Sequence, residues 1–456
     1  MKDRERYYID ILNKQVNQAG GFDFGAPASA VIEEFSDVAH ETFLSVTALV
    51  TAPVLTSYIV WILHDAINRK IEALLFMARD GYVMFRIAKT LCEIWGLNIE
   101  CRYFYASRQS LRLPLYAIDK AHALEKHCDP NSENKTVMDI LTAAGLTPNE
   151  IEDILNEITL DGNIKEQLTN SELFDKYAFR AASEALIGAK GYFTQNVQLD
   201  PRAFALVDSG WSGSIQESFG KLYQSFTNKP ANLIRGYYFG LISHPPPQSG
   251  IYHSYFFSPK DGLIRFKNFS IDLFECLCAA QGGRTLTYSI KNGTWHPVFA
   301  AETYTSKQHW DATKQIEMCE SYANYFVQHN NIVNITVLPD MRPLVSKLLK
   351  SFMQKPTFNE AQVFGGITFS RGVLENSMSS LARELSHGEI KQYTLTGRLW
   401  NKLAKRKKTI ENPVFWLQGA LALTNVSWIK KFDVNMMLLV YWLKIRLQAH
   451  IIRRKI

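Results

Sequence analysis

Two distant segments of the chain repeat one pattern, and that pattern restricts the fold more than any other feature. IEALLFMA, at 71–78, is a short apolar run of strand length that RDG breaks. Tyr82–Trp95 then carries apolar residues at Val83, Ile87, Leu91 and Ile94, the period of an amphipathic helix, and Gly96 stands where helices stop. IECRYFYA follows as a second strand. Further on, FALVD, the small-residue stretch SGWSGS, a helix over 215–227 and NLIRGYYFG repeat the order. Strand, loop, helix, strand is a βαβ unit. Two such units imply an open parallel sheet whose ligands collect at the carboxyl ends of strands. The loops ARDG and DSGWSGS both lie at such ends, so they are expected to face one crevice.

Between the units, 114–202 reads as a helical insertion, marked by Thr147 as N-cap, Pro148 at the first helical position and Glu150 closing a capping box. A second capping box at Thr357–Glu360 opens a mainly helical stretch over 301–456. Asn292-Gly293, between alternating runs, signals a hairpin. The organisation expected is an N-terminal helical segment at 1–40, an α/β core from 41–113 and 203–300, a helical cap at 114–202 and a helical C-terminal domain at 301–456. Thr42–His64 has no formal charge and is long enough to cross a bilayer, but Pro53 and its run into ALLFMA favour a buried helix on the sheet.

Small residues between a strand and a helix let backbone N–H groups approach an anion, and the helix N-terminus adds partial positive charge. Ser212, Gly213 and Ser214 are placed to surround a phosphate. Asp208 repels phosphate but accepts hydrogen bonds from sugar hydroxyls, so an acid followed by such a cradle suits a sugar phosphate. In the other loop Gly81 permits close approach, Arg79 pairs with phosphate oxygens, and Asp80 is suited to a metal or a proton. ASRQSLRLP adds Arg108 and Arg112 at another strand end. No lysine follows the glycines, which excludes a Walker P-loop. Gly210-Trp211-Ser212-Gly213-Ser214 approaches a hydrolase elbow, with Asp272 and His296 as the available triad partners, but its fifth position is Ser rather than Gly.

ARDGY, YFYASRQSLRLP, LVDSGWSGSIQ, FECLCAAQGGRTLTY and FWLQG, in this order, resemble a phosphoribosyltransferase family of bacterial polysaccharide biosynthesis, often fused to a HAD-type phosphatase. The likeness covers about 50–425. It implies an open, mostly parallel α/β sheet of phosphoribosyltransferase-like type that uses phosphoribosyl pyrophosphate (PRPP) and magnesium to install ribofuranose on a lipid-linked glycan. Ser212, Gly213 and Ser214 would hold the 5-phosphate, within a substrate loop that includes Ser209 and Gly210, and Asp208 the ribose hydroxyls. Arg79, Asp80 and Gly81 would hold the pyrophosphate, with Asp80 and Asp208 as the metal carboxylates. Arg108 and Arg112 would neutralise the leaving group, and Glu275 would serve the acceptor side. The chain departs from the family's usual pair of adjacent acids, having Asp208-Ser209. GFDFG carries only Asp23 and no HAD signature, so a separate phosphatase is implied. A serine hydrolase of glycan esters and a silent sugar-phosphate-binding scaffold are the competing readings.

Charge completes the picture. The net +6 is uneven: from Arg398 onward thirteen Lys or Arg face Glu411 and Asp433, a balance of +11, which leaves −5 for the rest. A basic end that also carries MMLLVYWL suits an anionic membrane surface, whereas no nucleic-acid motif accompanies it. The charged opening MKDRERYYID and six cysteines without a CxxC pair lead to an expected cytoplasmic location, peripheral at the inner face of the membrane, with reduced thiols.

Overall fold

The computed structural model describes residues 2–16, 21–128, 136–159, 162–197, 200–278, 280, 282–300, 310–369, 379–403 and 413–453. Five strands, β1 (Ala73–Met77), β2 (Glu100–Phe104), β3 (Phe204–Trp211), β4 (Arg235–Leu241) and β5 (Ile251–Phe257), form an all-parallel sheet in the order β2-β1-β3-β4-β5. Ala73 lies opposite both Glu100 and Phe204, which fixes the register of the three central strands. From β1 the chain goes one way to β2 and returns to the other side as β3. The order therefore reverses between β1 and β3, and their carboxyl ends flank the crevice of an open sheet. A hairpin of β6 (Thr285–Lys291) and β7 (Thr294–Phe299) turns at Asn292 and Gly293, both with positive φ.

The helices used below are α1 (Lys2–Val16), α2 (Ala52–Arg69), α3 (Gly81–Trp95), α4 (Arg108–Arg112), α5 (Glu172–Asn196), α6 (Ser214–Thr227), α7 (Ile271–Cys278), α8 (Ala312–His329), α9 (Phe358–Gly365), α10 (Leu395–Leu403) and α11 (Trp428–Arg453). The sheet is covered on both faces, as the continuous apolar run of β1 requires. Leu75, Phe104, Phe204 and Leu206 point to a core shared with α5, α6 and the rest of the 114–202 insertion. Phe104 meets Tyr192 and Phe193 there with ring centroids 5.1 and 5.4 Å apart. The insertion expected as a cap is therefore one of the two layers on the sheet. Leu74, Phe76, Val207 and Phe239 point the other way, toward α2, α3, α7 and α8. Among the described residues the one helix long and apolar enough to cross a membrane is Glu41–Arg69, and 94% of that apolar window is buried in this second layer.

Two further differences have local causes. The strand β5 follows β4 through 242–250, where HPPPQSG reads as a break; a single 3-10 turn at Pro247–Ser249 suffices to return the chain. The C-terminal helices are not a separate unit either. Glu360, in the Thr357 capping box at the start of α9, is buried and accepts from Tyr8 Oη at 2.7 Å and from Arg4 Nε at 3.0 Å, both on α1. This bond set ties the two ends of the chain into one core. Removing the carboxylate leaves Arg4 and Tyr8 with their polar groups facing each other in a mostly buried place. Glu360→Ala is expected to lower unfolding free energy by about 3–5 kcal/mol, read from urea denaturation; a loss within about 0.5 kcal/mol would remove this role.

Candidate functional site

β1 ends at Met77, and Ala78-Arg79-Asp80 carries the chain into α3. Gly81 is required at the start of that helix, because a Cβ there would stand 3.0 Å from the Phe76 carbonyl carbon. Asp80 thereby reaches across the switch point. Its Oδ2 accepts a hydrogen bond from Ser209 Oγ on β3 at 2.5 Å, and Ser209 is only 2% exposed. Asp208 precedes it; its Oδ1 accepts from the Ser209 amide at 2.9 Å, while its carbonyl accepts from Tyr58 Oη of α2 at 3.0 Å. A third carboxylate comes from α7, where Glu275 accepts from Trp211 Nε1 at 2.6 Å. Asp80 thus stands close enough to Asp208 and to Glu275 for its charge to act on both, and the loop after β1 faces β3 as the expectation of one crevice requires.

The electrostatics follow from crowding like charges in a dry place. Burial raises the Asp80 pKa, against the Ser209 hydrogen bond and the charges of Arg79 and Arg108. Burial, and then the charge of Asp80, push Asp208 up to about 7, and the same two causes push Glu275 up to about 8. Each of these two residues keeps part of its surface exposed. Arg108, the first residue of α4, lowers all three and is the cation they share.

The predicted phosphate cradle is shorter than SGWSGS suggests. β3 continues through Asp208 to Trp211, so the turn begins at Ser212. Gly210 belongs to the strand, with φ 132°, and a Cβ there would fall 2.0 Å from the Gly240 carbonyl oxygen of β4. Its glycine serves strand packing, and the Ser209 hydroxyl serves Asp80; neither side chain belongs to the cradle. Gly213 has φ 73° and opens α6, whose first residue, Ser214, receives a hydrogen bond from Arg112 at 3.2 Å. Ser212 is exposed, and its Oγ accepts from the Ser214 amide at 3.4 Å. A helix N-terminus, two hydroxyls and a guanidinium therefore converge just beyond the end of β3.

Ser212 makes that bond rather than one to an imidazole, while His296 lies in the β6–β7 ladder opposite Ser289. Among the described residues no hydroxyl–imidazole bond sets up a hydrolase triad at Ser212. Asp272 is buried in α7. No three His, Cys, Asp or Glu side chains among the described residues form a metal cluster. Magnesium bound chiefly through substrate phosphates needs only one or two carboxylates. The hard oxygens of Asp80 and Asp208 fit it, since a cation relieves the repulsion that raises these acids.

Sequence reasoning missed two parts of the site. Trp211, which holds Glu275, gave no sign of a partner 64 positions away. A cavity of about 590 Å³ opens beside Arg79, walled by Tyr82, Tyr103, Tyr105 and Phe299, with Arg86 and Glu317 on its rim. Alternation in YFYA puts Tyr103 and Tyr105 on one face of β2, the only local hint of it. Neither that cavity nor a smaller one of about 250 Å³ between His64, Asp65 and Arg342 is lined by any of the three carboxylates; the larger one adjoins them through Arg79, the neighbour of Asp80. Comparison with protein-family models gives no match, and comparison with curated proteins gives none either.

Because the folded pKa values of Asp208 and Glu275 exceed their ordinary 3.8 and 4.5, the folded protein binds more protons than the unfolded chain up to about pH 8, and stability falls as pH rises. Buried His127 and half-buried His253, both lowered to about 4, act oppositely but only below their ordinary 6.5. The ligand-free melting temperature should therefore fall between about pH 7 and about pH 8.5, and Glu275→Gln should flatten that slope. A slope unchanged in the variant would show that Glu275 is not held in its neutral form.

Proposed function

We propose that the chain is a magnesium-dependent phosphoribosyltransferase, moving the 5-phosphoribosyl group from PRPP to a hydroxyl of a lipid-linked glycan. One observation carries the reading: the loop after β1 joins β3 at the sheet's switch point through Asp80 and Ser209, three carboxylates share Arg108 there, and β3 runs on into a helix N-terminus suited to phosphate. On this reading the sheet is of phosphoribosyltransferase-like type.

The 5-phosphate lies at the N-terminus of α6, among Ser212, Ser214 and Arg112. Asp208 accepts from the ribose hydroxyls. Asp80 and Asp208 hold magnesium, which supplies charge neutralisation for the pyrophosphate. Arg79 and Arg108 take the charge that grows on pyrophosphate as its bond to ribose C1 breaks. The acceptor occupies the cavity beside Arg79, where tyrosine faces pack against sugar rings. Its hydroxyl oxygen bonds to C1 while its proton passes late to Glu275 in its ionised form, which a pKa of about 8 makes a stronger base than an ordinary carboxylate. The product keeps its 5-phosphate, so a separate phosphatase must follow.

Purified protein, PRPP, magnesium and lipid-linked glycan acceptors test the reading together. Acceptor-dependent release of pyrophosphate is expected, and Arg108→Ala should lower kcat about 100-fold, the scale for losing one aimed charge. PRPP binding without release across a broad acceptor set would leave the scaffold reading. Covalent labelling of Ser212 by a fluorophosphonate would support the hydrolase instead.

A further inference from the structure

The longest helix, α11, is docked by one side and bare on the other. Val434, Met437 and Ala449 are buried, and Trp442 Nε1 donates to the Leu263 carbonyl at 2.8 Å. The bare side carries Trp428, Phe432, Met436, Leu443 and Leu447, which at 100° per residue form one stripe. Trp428 is 77% exposed and Phe432 62%. At 26 residues the helix is about 39 Å long, so the stripe exceeds the scattered apolar exposure of ordinary surfaces. α10 adds Trp400 at 68% and Leu403 at 82%. The two helices are locked together by Asp433 of α11, which accepts from the Leu395 and Thr396 amides at 3.0 and 3.3 Å.

Charge decides what covers this surface. Arg398, Lys402, Lys430, Lys431, Lys444 and Arg446 edge it, and Asp433, the only acid on the two helices, is committed to the α10 amides. A two-fold contact with a second copy would set these cations against each other. Lysines and an aspartate inside α11 leave no span able to cross a bilayer, but an apolar stripe edged by cations suits the plane of an anionic one. The helix packs on the 3-10 turns at Pro259–Asp261 and Arg265–Asn268, just beyond the carboxyl end of β5. All five strands of the sheet are parallel, so this is the end of the sheet at which the carboxylate crevice opens. The basic run at 405–408 and residues 454–455 lie outside the described residues.

We infer that α10 and α11 form a docking surface for an anionic phospholipid bilayer, α11 lying in the plane of its headgroups. This stands whether or not the reaction proposed above is right. Flotation of the full chain with vesicles tests it. Binding is expected to vesicles of phosphatidylcholine with phosphatidylglycerol, weakly if at all to phosphatidylcholine alone, and to weaken with salt. Neutralising Lys431 and Lys444 with Lys431→Gln and Lys444→Gln should reduce affinity about fivefold per residue. Trp428→Ser with Phe432→Ser should also reduce it, while circular dichroism, being blind to exposed changes of this kind, stays the same. Equal binding to both vesicle types, or none to either, would overturn the inference. So would a dimer in sedimentation that Trp428→Ser with Phe432→Ser converts to monomer, which would give the surface to a second copy.

Discussion

The hydrogen bond from Ser209 to Asp80 is the link on which the rest of the site depends. One partner lies in the loop that follows β1 and the other within the neighbouring strand β3, and parallel topology alone would leave the two segments side by side without orienting either. The bond does more than join them. It holds the Asp80 carboxylate against β3, next to Asp208; burial raises both acids, and the charge of Asp80 raises Asp208 further. A pair of carboxylates in that position is unfavourable for the empty protein and suited to a cation or to a ligand rich in hydroxyls.

The surrounding layers hold this arrangement in place. Tyr58, from the buried helix α2, fixes the Asp208 carbonyl from beneath, and Trp211 stacks on Phe257 at 6.0 Å while its indole N–H holds Glu275. Arg108 begins α4 because Ser107 caps that helix, its Oγ accepting from Ser110 at 3.0 Å. Ser107 in turn donates to the Thr285 carbonyl at 2.6 Å, so the β6–β7 hairpin steadies the shared cation. Residues from α2, α4, α7 and both central loops therefore set one electrostatic balance.

Much of this was readable along the chain, wherever local chemistry decides local structure. ALLFMA could only be a buried strand or helix, and Gly81 and the left-handed Gly96 bound the helix that follows. Thr147, Thr357 and Asn292-Gly293 gave caps and a turn at their proper places. What was not readable came from packing between distant segments. Ser209 and Gly210 look like turn residues, yet the strand continues because Gly210 lets β3 lie close against the Gly240 carbonyl of β4. Prolines before β5 concealed a strand that needs only a short return. The aromatic cavity gathers β2, α3, the hairpin and α8, and no window of sequence spans those four.

The account's central claim is that the two strand tips bind one ligand together. Hydrogen–deuterium exchange with and without PRPP and magnesium measures this at the backbone. Joint slowing at 78–82 and at 208–216, with the same dependence on PRPP concentration, is the predicted result. Protection at only one of these segments, or at neither while PRPP binds elsewhere, would contradict it.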